Sequence, residues 1–178
     1  GLVPGALEAD VAALGAAAAA AEGALSIERS AIEVLGAAWR GRSGSAASDL
    51  LESQCATAGG VFAALTEAVE VLGRLRERLV RLLEARDEAG VRILDRRAGA
   101  HPQWLAWSRA VLGGTADDAT IAAVAAEVGP YVETDIAGDW VAAMTDVTDS
   151  VAAAYREAVA ILADRPAARF AIPSALTP

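Results

Sequence analysis

The sequence predicts an all-α protein, and three observations carry the prediction. Apolar residues recur at alternating steps of four and three over two long stretches, alanine supplies about a quarter of the chain, and aromatic residues amount to only 4% of the 178 residues. Steps of four and three keep one seam of a helix facing a neighbour, and alanine is the strongest helix former. Scarce β-branched runs agree with an all-α fold, and the low aromatic content also implies thin, closely approaching helices.

The first stretch carries its stripe through Leu7, Val11, Leu14, Ala18, Ala21, Leu25, Ile32, Leu35 and Trp39, with Glu28 the one polar position on it. Gly41 follows, bracketed by Arg40 and Arg42 and succeeded by Ser43-Gly44-Ser45. Glycine costs about 1 kcal/mol in a helix interior and readily takes positive φ, so the chain is expected to reverse here. Trp39 then sits at the tip, where its ring can pin the turn or meet a partner. Ser45 is the expected N-cap of a second helix, whose stripe runs through Leu51, Ala58, Val61, Leu65, Ala68, Leu72, Leu75, Leu79 and Leu82, interrupted at Gln54. Two such helices joined by a short turn form a long antiparallel hairpin, assigned to residues 1–97.

Beyond Arg97 the organisation changes. Gly99 and the residue before Pro102 disfavour helix, which predicts a break at Ala98–Pro102 with His101 as a turn residue. A short helix is expected over Gln103–Leu112, closed by Gly113-Gly114, and another over Asp117–Val128 with Asp117 as N-cap, stopped by Gly129-Pro130. A long helix is then expected from about Tyr131 to about Asp164, with Ile136, Trp140, Ala143, Val147, Val151, Ala154, Ala158 and Ile161 on one face. Residues 98–165 are read as a helical segment that packs on the hairpin and completes a bundle. Residues 166–178, with three prolines and no periodicity, are read as a flexible tail or linker.

The net charge of −9 argues against nucleic acid as a partner. Its distribution is uneven. Arg74, Arg76, Arg78, Arg81, Arg86, Arg92, Arg96 and Arg97 crowd one stretch, while Thr115–Asp164 holds ten acids and one arginine. The acidic segment is expected to meet the basic end of the second helix through Arg–carboxylate pairs. The sharper alternative makes Arg74, Arg78 and Arg81 a surface for a protein partner. Trp104 and Trp107, three apart, share a helical face that either docks inward or lies at a membrane interface. No stretch of about 18 strongly apolar residues and no ordinary secretory signal stand out.

Catalysis and metal binding find little support. His101 is the single histidine, and Cys55 the single cysteine, which reads as a small buried hydrophobe. Asp117-Asp118, and Asp146 with Asp149, lack the ligand loop of a cation site. No enzyme activity, cofactor or metal is expected.

Two long helical stretches meeting at Trp39-Arg40-Gly41 resemble the WXG100 (ESAT-6-like) superfamily, the helical-hairpin substrates of type VII secretion systems in actinobacteria and Firmicutes. The match spans Ala6 to about Arg97, with Trp39 and Gly41 on the two motif positions. All fifteen basic residues are arginine, which together with abundant Ala, Gly and Val fits a GC-rich genome. The resemblance implies export, with secreted or cell-envelope localisation, and protein partners: secretion machinery, a chaperone or another hairpin of the same kind. It also implies an export signal of the form Tyr-x-x-x-Asp/Glu, which Tyr131 and Asp135 match in letters although they lie well past the hairpin. Family members pair as dimers, whereas the additional helices here could cover the seam within one chain, so monomer and dimer both stand. The rival reading is a cytoplasmic helical adaptor that holds a protein partner; a third is a membrane-interacting protein.

Overall fold

A computed structural model of the chain describes residues 4–165 together with Ala168 and Phe170. The tail expected over 166–178 lies, those two residues apart, outside the described residues. The fold is all-helical, and among the described residues there is no strand. Helix α1 spans Pro4–Ala38, α2 Arg42–Asp95, α3 His101–Leu112, α4 Asp118–Ala123 and α5 Val141–Ala163. A 3-10 turn, Ala98–Ala100, precedes α3. Between α4 and α5 the chain is π-helical over Val124–Val128 and again over Tyr131–Trp140.

The seam read from the sequence is the face that α1 buries. Leu7, Val11, Leu14, Ala21, Ile32 and Leu35 are half-buried, Ala18 and Leu25 are buried, and Glu28 on the same line is half-buried too. Ile27 and Val34, off that line, are 73% and 69% exposed. On α2 every residue of the predicted stripe is buried or half-buried, including Gln54. The periodicity of the sequence thus marks the inward face of both helices.

Several local expectations need correction. Ser45 does not cap α2, which begins at Arg42; its hydroxyl donates back to the Gly41 carbonyl at 3.2 Å. The run Ser43-Gly44-Ser45 is absorbed into the first turn of α2, so the break is confined to Trp39–Gly41. The break at Ala98–Pro102 shrinks to the 3-10 turn, because Pro102 falls in the first turn of α3, where its missing N–H costs nothing. His101 is accordingly the first residue of a helix and not a turn residue. Gly129-Pro130 does not stop a helix either. Both residues keep right-handed helical dihedrals, and the backbone stays helical from α4 through α5. The π turns on either side change the hydrogen-bond spacing where proline cannot donate, so a residue that would end an α-helix is accommodated. On the C-terminal face, Trp140 and Ile161 are 41% and 37% exposed instead of buried.

Asp117 does cap α4, its carboxylate accepting from the Thr120 backbone N–H at 2.8 Å. Gly113 closes α3 through an N–H bond to the Arg109 carbonyl, and Gly114 takes φ 68°. α1 and α2 each contain an 18-residue window long and apolar enough, by length and composition, to cross a membrane.

The chain forms two compact units. One comprises the residues up to Glu77 with those from Tyr155 onward, the other Arg78–Ala154. Among the described residues, Ala18, Leu25, Cys55, Val71, Leu75 and Ala158 are the buried hydrophobic side chains of the first, and Leu79, Ile93, Trp104 and Ala154 those of the second.

Candidate functional sites: the Trp39 break and the Tyr131 cluster

Two places gather the residues singled out by sequence. The first is the break between α1 and α2. Trp39 is 47% exposed there, and Gly41 has φ 103°, a conformation that suits glycine and few other residues. Gly44 is the second glycine the break requires: a Cβ built on it would stand 2.3 Å from the Trp39 carbonyl oxygen and 3.3 Å from Cγ of its indole. The backbone after the break therefore comes up against the tryptophan itself. In the same unit Glu8 of α1 is ion-paired to Arg76 of α2 at 3.2 Å, and a groove of 380 Å³ has Arg29, Ile32 and Glu33 of α1 along with Glu52, Cys55 and Ala56 of α2 in its walls.

The second place lies in the unit Arg78–Ala154. Here α3 lies against α4 and the π-helical segment Val124–Val128. Trp104 is 8% exposed, and its indole Nε1–H donates to the Glu127 carboxylate at 3.2 Å. Its ring centroid is 5.1 Å from that of Tyr131, and His101 lies 5.6 Å from Trp104 and 5.7 Å from Tyr131. The Tyr131 hydroxyl and His101 Nε2 are both buried without a hydrogen-bond partner. Arg96, the residue that follows α2, donates to Asp135 at 2.7 Å and to Asp139 at 2.5 Å. Those contacts, that to Asp139 first, raise the Arg96 pKa above its ordinary value. This is the meeting of the acidic segment with the basic end of α2 that the charge distribution foretold.

Tyr131 and Asp135, the two residues that match the expected export motif in letters, are thus brought to one cluster, where the phenol ring meets Trp104 and His101 and the carboxylate meets Arg96. The Asp135 side chain is only 14% exposed. Trp107, on the same face of α3 as Trp104, is half-buried, while Leu105 and Leu112 are 57% and 88% exposed. Arg74 pairs with Glu70 along α2, and Arg78 and Arg81 are likewise engaged. Cys55 is buried. Among the described residues no group of three His, Cys, Asp or Glu side chains could hold a metal ion.

Sequence reasoning missed Gly44, Arg96 and Glu127. Gly44 was visible only as one more helix breaker, because nothing in the letters says that a carbonyl will stand over it. Arg96 was implied by the charge asymmetry but not singled out, and Glu127 carried no signal of its own. No protein-family model, curated protein or solved structure matches the chain.

Proposed function

We propose that this chain is a non-enzymatic helical protein of a type VII secretion pathway, either an exported substrate or the delivery domain of a longer effector, whose α1 and α2 form a hairpin at Trp39-Arg40-Gly41. The observation that carries the reading is the helix break at that tripeptide between helices of 35 and 54 residues. The Glu8–Arg76 pair supports an antiparallel arrangement, since the two residues stand at comparable distances before and after the break. The groove between Arg29–Glu33 and Glu52–Ala56 supports the same register nearer the bend.

In this reading Tyr131 and Asp135 act as the export signal, and Trp39 faces a protein partner, a chaperone or another helical hairpin. Fractionating the native organism with and without its type VII ATPase tests it: the protein appears in the medium or envelope only when the ATPase is present. Equal cell-bound amounts in both strains, with nothing outside, would favour a cytoplasmic adaptor that uses the exposed Trp39 to hold its partner. Asp135→Asn is expected to reduce export, whereas Asp139→Asn, which touches the same arginine, leaves it intact. A membrane-interacting role has one observation in its favour, the two apolar windows of α1 and α2. Flotation with anionic vesicles tests that role, and failure to float removes it.

A further inference from the structure

We propose that the cleft beside Trp104 and Tyr131 binds a small zwitterion with a substituted ammonium group at one end and an acid group at the other. The inference is independent of the secretion reading, because it rests only on the walls of this cleft.

The cleft measures 430 Å³, within the range of about 300–1,000 Å³ typical of small-molecule sites. Trp104 and Tyr131 both line it. Their rings are inclined at 48°, so they form a corner and do not cover each other as a stacked pair would. An aromatic corner attracts a soft organic cation through the ring quadrupoles, and most strongly where water is thin. Glu127 lines the same cleft and is held beside the indole by the Nε1–H bond, which leaves acceptor capacity on its carboxylate. Asp135, also in the wall, has its charge met by Arg96, so Glu127 is the acid left to face a guest cation.

Arg97 supplies the opposite sign in the same lining. Its planar guanidinium suits a carboxylate through two parallel hydrogen bonds. A guest with a cation alone would face this arginine unmatched, which is why a zwitterion fits better than a simple ammonium ion. Two of the cleft's walls come from the π-helical segments, and such turns recur at functional sites because the wider ring displaces side chains from the regular helical register.

The test is a titration of glycine betaine into the whole 178-residue chain, following the Trp104 indole N–H resonance assigned with Trp104→Phe. A saturable shift in the millimolar range is expected, with choline, which lacks the acid, and acetate, which lacks the cation, each weaker by about tenfold. Glu127→Gln should weaken betaine by about tenfold, and Arg97→Gln should abolish the preference for betaine over choline. Absence of a saturable shift up to about 100 mM betaine, with helical circular dichroism unchanged, would overturn the proposal. So would an equal response to sodium chloride, or unaltered affinity in both variants.

Discussion

At Gly44 an added methyl group would lie 2.3 Å from the Trp39 carbonyl oxygen and 2.9 Å from its carbonyl carbon, both backbone atoms that cannot swing aside. Gly44→Ala is therefore expected to destabilise by about 1–3 kcal/mol, the range for forcing extra volume into a closed space. At Gly41 nothing crowds the position, but φ is 103°, so Gly41→Ala should cost about 1–2 kcal/mol through backbone strain alone. Gly36, inside α1 with open space around its Cα, is the control: Gly36→Ala should stabilise by about 0.5–1 kcal/mol. Urea denaturation of the three variants separates steric, conformational and propensity effects; equal midpoints would refute this account of the helix break. Asp117 gives a residue-scale pH effect. The hydrogen bonds from Thr120 hold its carboxyl below the usual carboxylate range. A depressed folded-state pKa contributes stability that is complete above the unfolded value and is lost as pH falls through the folded one. The deficit of Asp117→Ala should thus be present at neutral pH and fade on acidification, as thermal unfolding at stepped pH would record.

Among the elements, α1 and α2 were the most legible and the stretch from α3 to α5 the least. A long amphipathic helix repeats its message every three or four residues, so no single error matters: Leu25 is 4% exposed and Ile27, two residues on, is 73% exposed, as the stripe requires. Leu25→Ala is expected to destabilise by about 2–5 kcal/mol, and Ile27→Ala by about 0.5 kcal/mol or less. The failures came where one residue had to decide. Gly129-Pro130 reads as a stop under local rules, yet π turns carried the helix across it, and hydrogen-bond spacing of that kind has no signature in composition. Ser45 reads as a cap because capping residues cluster at breaks, but the fold needed Gly44 inside the first helical turn and moved the boundary upstream. Of the Tyr131 cluster, the sequence offered Trp104 and Tyr131 separately; their meeting depends on the path of the chain through Gly113-Gly114 and α4, which spacing does not encode. Arg96→Ala, by releasing both Asp135 and Asp139, should speed amide hydrogen exchange over Tyr131–Trp140 while leaving α1 unchanged.

For the molecule as a whole, charge was the legible property. The net charge of −9 and isoelectric point near 4.6 keep copies apart by repulsion at neutral pH. Light scattering on acidification toward pH 4.6 should show association rising as that repulsion disappears, and a size independent of pH would contradict it. The acid-rich and arginine-rich portions were predicted to meet, and the Arg96 contacts are where they do.

The ten-residue π-helical run Tyr131–Trp140 also makes the chain unequally tolerant of lost residues. A π turn spans more residues than an α turn, so when an amino acid is removed from this run the ladder can tighten toward ordinary spacing and take up part of the phase change. The same deletion within Val141–Ala163 would rotate everything after it by about 100°, swinging Ala154 and Ala158 out of the interior. The π segment is in effect a reserve of slack, and natural length variation in this chain should gather there.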